Sequence, residues 1–353
     1  MERSRLKLVN FSSADKVAGQ GVGSAFQEQV ELVKETSANL FDVEVNQWFS
    51  KPDIQHFHTI DPAFFVRMKD KGPVNIAYCH FLPDTLEGSL KIPKPFMKVA
   101  AWYITNFYKS ADRLVVVNPS FIEELVRYGI PREMIYYIPN YVSKEQFHPF
   151  PAEDRAAWRR KYGIPEDAFV VLGAGQVQTR KGVRDFVDVA KALPELTFVW
   201  AGGFSFGKMT DGYEDLEKLM KEPPANVVFT DIVPRDDMPH VYNMADVLFV
   251  PSYNELFPMT ILESANFGLP IVVRDLDLYK DILFGHVQKG DDNAAFTTQL
   301  KKLAEDPQER KHWQEESAKI ADYYSKENVG RLWRDFYLDA WHDRQKASSH
   351  KKK

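Results

Sequence analysis

Cysteine is almost absent from this sequence, since Cys79 is the single one among 353 residues. A lone cysteine excludes an intramolecular disulfide bond and a metal site built from cysteine ligands. Because free cysteine is among the most buried residue types, Cys79 is expected to pack as a small apolar side chain.

Long apolar runs are missing as well. A membrane span needs about 18 consecutive apolar residues, and no stretch of this sequence comes close to that length. Residues 1–7 also lack the apolar segment of a signal peptide. The sequence therefore predicts a cytoplasmic protein without a membrane-spanning anchor.

A strong charge of one sign is the third absence. The chain carries 45 basic and 50 acidic residues, and residues 1–150 contain 17 of each kind. The excess of five acidic residues therefore lies in the rest of the chain. This balance argues against nucleic acid as a partner.

Short runs rich in valine, isoleucine and phenylalanine alternate with helical patterns almost throughout, which predicts parallel α/β sheets. The runs are 6–11, 74–79, 113–117 and 136–138, and then 169–172, 196–201, 227–230 and 247–250. The polar segment 147–154 contains prolines and separates the two sets. At about 150 residues per domain, we expect two Rossmann-like domains, 1–150 and 151–328. A basic tail follows at 346–353, and its residues 348–353 are expected to be disordered.

Two glutamates with seven residues between them, Glu255 and Glu263, span a junction between a loop and a helix. Pro258 fits the first helical position, and Gly268 is expected to end the helix. Backbone N–H groups at a helix start favour an anion such as a diphosphate, while carboxylates can hold sugar hydroxyls. The junction therefore predicts a nucleotide-sugar site. The alternative is an ordinary buried helix with a solvated glutamate at each end.

The segment from Pro251 to Val273 resembles the retaining glycosyltransferases of the GT-B fold, the group related to sucrose synthase and bacterial glycogen synthase. A strand ending in Pro-Ser, the paired glutamates and the Leu-Glu-Ser-Ala-x-x-Gly-x-Pro-Ile-Val-Val continuation carry the resemblance. It implies a first domain that binds the acceptor and a second that binds a UDP-sugar across a central cleft. The final helix, 329–345, would cross back onto the first domain. Hexose transfer would proceed with retention of configuration and without a metal or other cofactor.

The resemblance also implies roles for individual residues. Glu255 would position the sugar and Glu263 the ribose, while Arg180 and Lys181 would stabilise the departing diphosphate. Related enzymes carry an arginine where this chain has Gln176, so Arg180 is expected to compensate. The alternative for both cations is a purely solvated role.

His80 matches a sugar-facing histidine that follows the fourth strand in the resembled family. A structural histidine bonded to the backbone is its alternative, and His56-Phe-His58 lacks an evident third ligand for a metal. The further candidates for the nucleotide site are Gly21, Gly23, Gly203, Thr230, Val233, Leu256, Phe257 and Met259.

Gly21 and Gly23 belong to a glycine-rich turn before a helix that is expected to start near Ser24. Dinucleotide-binding proteins use similar turns. A dehydrogenase is disfavoured because no acidic residue closes a second strand about 20 residues on.

Lysines and aromatic residues are interleaved between Lys91 and Lys109, with Lys94 and Lys98 among them. Such a helix can lie on an anionic membrane surface, and the alternative is a core-packed helix with solvated lysines.

Three longer motifs, 15–24, 80–93 and 202–213, resemble the glycosyltransferases of Gram-positive bacteria that build glycosyl-diacylglycerols and the glycolipid anchor of lipoteichoic acid. The resemblance implies transfer of glucose or galactose to monoglucosyl-diacylglycerol at the cytoplasmic face of the membrane. The alternatives are an enzyme that adds the first sugar to diacylglycerol, a soluble transferase acting on a saccharide, and an inactive scaffold subunit.

Overall fold

The computed structural model describes residues 5–14, 21–80, 82, 94–205 and 207–350. Its backbone is organised as two six-stranded sheets, and the strands of each sheet are all parallel. This arrangement confirms the α/β class predicted from the alternating pattern.

The first sheet has the strand order β2-β1-β3-β4-β5-β6. Its strands are β1 (Leu6–Phe11), β2 (Phe41–Val45), β3 (Ile54–Phe57), β4 (Val74–Cys79), β5 (Arg113–Val116) and β6 (Ile135–Tyr137). Every residue of β3, β4 and β5 is buried, because helices cover both faces of a parallel sheet. Cys79 is fully buried within this core, as predicted.

The described residues of the first half of the chain form the α-helices α1 (Gly21–Ser37), α2 (Pro62–Arg67), α3 (Lys94–Lys109) and α4 (Phe121–Arg127). The predicted start of α1 near Ser24 is wrong, since the helix already begins at Gly21. A Cβ atom at Gly23 would lie 3.1 Å from the carbonyl oxygen of Ala14. Glycine therefore lets the first turn of α1 approach the end of the preceding strand.

The second sheet has the strand order β12-β11-β10-β7-β8-β9. Its strands are β7 (Val170–Ala174), β8 (Thr197–Ala201), β9 (Val227–Phe229), β10 (Val247–Val250), β11 (Ile271–Arg274) and β12 (Gln288–Gly290). The helices from here onwards are α5 (Ala152–Lys161), α6 (Val183–Ala192), α7 (Tyr213–Lys221), α8 (Met238–Asn243), α9 (Met259–Asn266), α10 (Lys280–Leu283), α11 (Asn293–Glu305), α12 (Pro307–Tyr323) and α13 (Lys326–His350).

Helix α13 packs against α1 and the first sheet. Trp333 and Tyr337 are buried there, and the ring of Trp333 lies 5.3 Å from that of His56. Near the end of the helix, Arg344 pairs with Asp112 at 2.6 Å. The last helix thus covers a face of the first sheet that would otherwise expose aromatic side chains.

The prediction of a disordered tail is wrong for residues 348–350, which continue α13. Residues 351–353 lie outside the described part of the chain.

Three histidines lie side by side under α13, at the carboxyl ends of β3 and β4. The rings of His56 and His58 are 4.1 Å apart, and the rings of His58 and His80 are 5.9 Å apart. His56 Nδ1 lies 2.7 Å from the hydroxyl of Tyr337, and His58 Nε2 lies 3.2 Å from Oδ1 of Asn10. Among the described residues, one nitrogen of each imidazole has no hydrogen-bond partner.

Burial disfavours the charged form of all three imidazoles. It lowers the pKa of His56 and of His58 well below the ordinary value, and the neighbouring histidines lower both further. Burial alone lowers the pKa of His80 to about 3. The three histidines are therefore neutral at pH 7 in the folded protein.

We expect the folded protein to lose stability as the pH falls below about 6.5, where histidines of the unfolded chain take up protons that the folded chain refuses. Each buried histidine contributes about 1.4 kcal/mol per pH unit in that range. Urea unfolding between pH 7.5 and pH 5 measures this slope. His56→Gln removes one of the three buried histidines and should reduce this slope. Equal slopes in wild type and His56→Gln would contradict the prediction.

Candidate functional site

The loop after β10 carries Glu255 to the carboxyl edge of the second sheet. Its Oε1 lies 2.5 Å from Nζ of Lys181, and Arg180 Nη1 lies 3.9 Å from its Oε2. Arg180 also donates to the carbonyl oxygen of Asn254 at 3.0 Å. The structure therefore brings together three of the four residues predicted to be catalytic.

The two cations keep the buried Glu255 ionised. Burial on its own raises the pKa of this carboxyl group, but Lys181 and Arg180 outweigh burial and hold the pKa below the ordinary value. Burial also lowers the pKa of Lys181, against the opposing effect of Glu255. Two cations beside one carboxylate leave a net positive charge, which suits an anionic group.

Glycine makes the close approach of the two loops possible. Gly182 has a φ of 70°, and a Cβ atom there would lie 2.4 Å from the carbonyl oxygen of Pro251. A larger residue at this position would therefore push Lys181 away from the loop that carries Glu255.

Helix α9 begins at Met259, and Pro258 is its N-cap with an extended backbone (φ −69°, ψ 123°). The predicted placement of Pro258 at the first helical position is therefore wrong by one residue. Gly268 follows the helix with a φ of 64°, in the left-handed conformation that ends many helices.

A second buried network surrounds Glu263. Its Oε1 accepts a hydrogen bond from Arg235 at 3.2 Å, and its Oε2 accepts one from the hydroxyl of Tyr242 at 2.6 Å. Arg235 also pairs with Glu28 on α1. The two glutamates of the pair thus have separate cationic partners, Lys181 and Arg180 for one and Arg235 for the other.

Arg235, Tyr242 and Glu28 were not among the site residues predicted from the sequence. Nothing in a polar turn such as Pro-Arg-Asp-Asp distinguishes a buried arginine from a solvated one.

A third network lies behind the loop that carries Glu255. The guanidinium group of Arg274 lies 3.9 Å from the ring centroid of Tyr253 and donates to the carbonyl oxygen of Pro251 at 2.9 Å. Asp185 accepts a hydrogen bond from the hydroxyl of Tyr253 at 3.0 Å and pairs with Arg274 at 3.3 Å. These contacts restrain the backbone on either side of Ser252.

Two asparagines of the first sheet hold the same loop from the opposite side. Asn118 follows β5 and donates to the carbonyl oxygens of Leu256, at 3.0 Å, and Leu278, at 3.2 Å. Asn140 follows β6 and donates to the carbonyl oxygen of Phe257 at 3.2 Å. Both asparagines are buried. Both asparagines follow a strand of the first sheet within three residues, and this position could have identified them from the sequence.

Gly203, Thr230 and Val233 lie at the carboxyl ends of β8 and β9, on the same edge of the sheet as Glu255. The carbonyl oxygen of Gly203 accepts a hydrogen bond from Val177 N at 3.0 Å. Gln176 accepts one at 2.6 Å from the side chain of Gln178. Met259 is buried in the first turn of α9.

His80 lies on the first sheet, directly after β4. Its ring contacts are with Tyr78, at 4.1 Å between centroids, and with His58. His80 thus lies at the edge of the first sheet that faces the second sheet, and its ring contacts do not include Glu255.

Helix α3 has one face in the core and one face exposed. Ile104, Phe107 and Tyr108 are buried, whereas Val99 and Trp102 are 62% and 65% exposed. Lys98 and Lys109 are exposed with them, and we call these four exposed residues the outer face of α3. The buried face agrees with the core-packed interpretation, whereas contact of the outer face with a membrane stays a prediction.

Several predicted features lie outside the described residues. They are residues 15–20 of the glycine-rich turn, Lys91, and the side chain of Lys94. Within the described part of the chain, no helix combines the length and apolar character that a membrane span requires.

Two family models match the chain. The model for glycosyl transferases group 1 matches residues 154–320, and the model for glycosyltransferase family 4 matches residues 37–146.

Known proteins are similar along nearly the whole chain. The alpha-galactosylglucosyldiacylglycerol synthase of Streptococcus pneumoniae is 45% identical over 339 residues, which cover 96% of this chain and 90% of that protein. The processive diacylglycerol alpha-glucosyltransferase of Acholeplasma laidlawii is 24% identical over 322 residues, covering 90% of this chain and 93% of that protein.

Solved structures show the same fold at low identity. Sucrose-phosphate synthase from Thermosynechococcus elongatus superposes with a TM-score of 0.77 at 15% identity, covering 96% of this chain and 100% of that one. Anabaena HepE in complex with UDP-glucose gives a TM-score of 0.75 at 14% identity, covering 95% and 100%. These matches confirm the resemblance stated from the sequence. The chain therefore belongs to the group 1 glycosyltransferases and is a hexosyltransferase with the GT-B fold.

Proposed function

We propose that this enzyme transfers a hexose from a UDP-sugar to monoglucosyl-diacylglycerol, with retention of anomeric configuration. The observation that carries the proposal is the cluster of the buried Glu255 with the half-buried Lys181 and Arg180, at the edge where the two sheets face each other. A relative that is 45% identical and named a galactosylglucosyldiacylglycerol synthase supports the glycolipid acceptor.

The two cations would act on the leaving group. Negative charge grows on the diphosphate oxygens as the bond to the sugar breaks, and Lys181 and Arg180 supply fixed positive potential there. Because both side chains are already held by Glu255 and by the carbonyl oxygen of Asn254, little reorganisation is needed when the charge develops.

Glu255 would accept hydrogen bonds from hydroxyl groups of the transferred sugar. As an ionised carboxylate it can only accept, so it recognises hydroxyl donors in fixed directions. Glu263 would accept hydrogen bonds from the ribose hydroxyls in the same way. His80, on the opposite sheet, would contact the far side of the sugar.

The names of the two relatives support the finer assignments. Both specify α-linked products, which agrees with retention from an α-linked nucleotide sugar. The Streptococcus pneumoniae relative is the more similar of the two and favours galactose as the hexose and a second-sugar reaction. The Acholeplasma laidlawii relative supports the alternative of glucose transfer to diacylglycerol.

The outer face of α3 would bring the enzyme to the cytoplasmic face of the membrane. Its exposed valine and tryptophan can enter the headgroup region, and its lysines attract anionic lipids. A lipid acceptor stays in the membrane and does not diffuse through bulk water, so the enzyme has to bind the membrane surface to reach it.

Product analysis tests the acceptor and the donor together. The purified enzyme is incubated with UDP-galactose or UDP-glucose and with anionic vesicles that contain diacylglycerol or monoglucosyl-diacylglycerol. We expect a dihexosyl product by mass spectrometry, with UDP-galactose the better donor. A hexose added to diacylglycerol would shift the assignment to the first sugar, and donor consumption without a lipid product would contradict the lipid acceptor.

Removing Glu255 should abolish the reaction while the protein stays folded. We expect Glu255→Ala to lower kcat by about 100-fold or more. The hydroxyl groups of the transferred sugar lose a hydrogen-bond acceptor, and the two cations lose the carboxylate that fixes their positions. Glu222→Gln replaces an exposed glutamate of the same half of the chain and should leave kcat unchanged. Near-normal turnover in Glu255→Ala would contradict the role of this carboxylate.

Charge reversal on α3 should weaken membrane binding without affecting donor binding. One basic residue near an anionic surface contributes about 1 kcal/mol. We therefore expect Lys98→Glu to reduce partition into anionic vesicles at least about fivefold in a sedimentation assay. Lys191→Glu reverses an exposed charge on α6 and is the matched control. Equal partition of the two variants would rule out the outer face of α3 as the contact.

A further inference from the structure

Arg235 connects two buried carboxylates that belong to different halves of the molecule. It follows β9 of the second sheet, its Nη1 lies 3.2 Å from Glu263, and its Nη2 pairs with Glu28 on α1 of the first half. The arginine side chain is 21% exposed, whereas the two carboxylates are only 5% and 6% exposed. The ring of Phe147 lies 5.1 Å from the guanidinium group and shields one of its faces.

The charges of this network make Arg235 indispensable to both glutamates. Two buried carboxylates share one guanidinium group, and a buried carboxylate without a partner is strongly disfavoured. Burial raises the pKa of Glu28, and Arg235 opposes that rise. Burial would lower the pKa of Arg235, but Glu263 and Glu28 together raise it above the ordinary value.

Both oxygens of Glu263 are oriented by neighbours. Arg235 holds Oε1, and the hydroxyl of Tyr242 donates to Oε2 at 2.6 Å. Burial raises the pKa of Tyr242 well above its ordinary value, so the hydroxyl keeps its proton and remains a donor. Each carboxylate oxygen can accept a further hydrogen bond. Glu263 is therefore fixed in direction and still able to bind hydroxyl groups.

Glu28 ties this arrangement to the first sheet. Its Oε2 accepts a hydrogen bond at 2.9 Å from the backbone N–H of Ser143, in the segment that leads from β6 to α5. Glu28 binds Nη2 of Arg235, so this nitrogen is not available to Glu263. Without that partner, the whole fork of Arg235 is free to bind Glu263 and to occupy its remaining acceptor positions.

We propose that Arg235 and Glu28 position Glu263 for the ribose hydroxyls of the nucleotide, so that donor binding depends on contact between the two halves of the enzyme. This inference rests on the proposed UDP-sugar donor. Arg235 and Glu28 are positioning residues, because neither is assigned a contact with the reacting atoms. Ribose is remote from the bond that breaks, and we take its contacts to be equal in the ground state and the transition state. Loss of Arg235 or Glu28 then raises the KM for the donor more than it lowers kcat.

Nucleotide binding that isolates the ribose hydroxyls tests the inference. Isothermal titration calorimetry of the full-length enzyme gives the Kd for UDP and for 2′,3′-dideoxyuridine diphosphate. We expect wild type to prefer UDP by about tenfold or more, which corresponds to ~1.4 kcal/mol. Arg235→Gln and Glu28→Gln should each bring this ratio towards one, and Arg235→Lys should restore part of it. The donor KM should rise by a similar factor, with kcat changed by less than about threefold.

Lys326→Gln is the matched control. Lys326 also pairs with two glutamates, Glu35 of α1 at 2.6 Å and Glu145 at 2.5 Å, but neither of them touches Glu263. The control should keep the wild-type preference for UDP. A merely structural role of Arg235 would lower thermal stability and leave the preference intact.

The outcomes separate the inference from the proposed function. A wild-type enzyme without any preference for UDP over the dideoxy analogue would remove the proposed ribose role of Glu263. A wild-type preference that survives in both Arg235→Gln and Glu28→Gln would overturn the inference alone. Loss of the preference in Arg235→Gln but not in Glu28→Gln would overturn the dependence on the first half of the enzyme.

Discussion

The burial of Glu255 between two cations is the interaction on which the rest of the site depends. A carboxylate that is 5% exposed stays ionised only because Lys181 and Arg180 lie beside it. Their approach requires the left-handed turn at Gly182 and the restrained loop after β10. The surrounding contacts can be understood as means of keeping these three charges at fixed distances, which is what electrostatic stabilisation of a developing anion requires.

Buried polar contacts between the two halves extend this arrangement. Asn118 and Asn140 hold backbone carbonyl oxygens of the loop that carries Glu255, and Arg235 spans from Glu263 to Glu28. Polar contacts of this kind depend strongly on geometry and are costly when left unmade. These few hydrogen bonds and ion pairs therefore restrict the relative position of the two sheets. An apolar interface of similar extent would restrict it less.

The sequence predicted the fold well because several central strands are short, wholly apolar runs, as in β7 and β10. The polar edge strand β12 carries no such signal. The order of strand, loop and helix around Glu255 could also be predicted, because the two glutamates, a proline and a glycine mark this junction in the sequence. Contacts between residues far apart in the sequence could not be predicted. Arg235 and Glu28 are 207 positions apart, and no local pattern shows that these two residues form an ion pair. The assigned roles of the individual site residues stay predictions.

The packing of α13 on the first sheet has a consequence for biosynthesis. Tyr337 completes the environment of His56 from a distance of 281 positions along the chain. A ribosome has therefore added 281 residues after His56 before the first sheet can receive this covering helix. Until then, the surface under α13 remains open, although domains are generally able to fold in order from the N-terminus during synthesis. The first half therefore completes its packing only after the second half, which precedes α13 in the chain, has been synthesised.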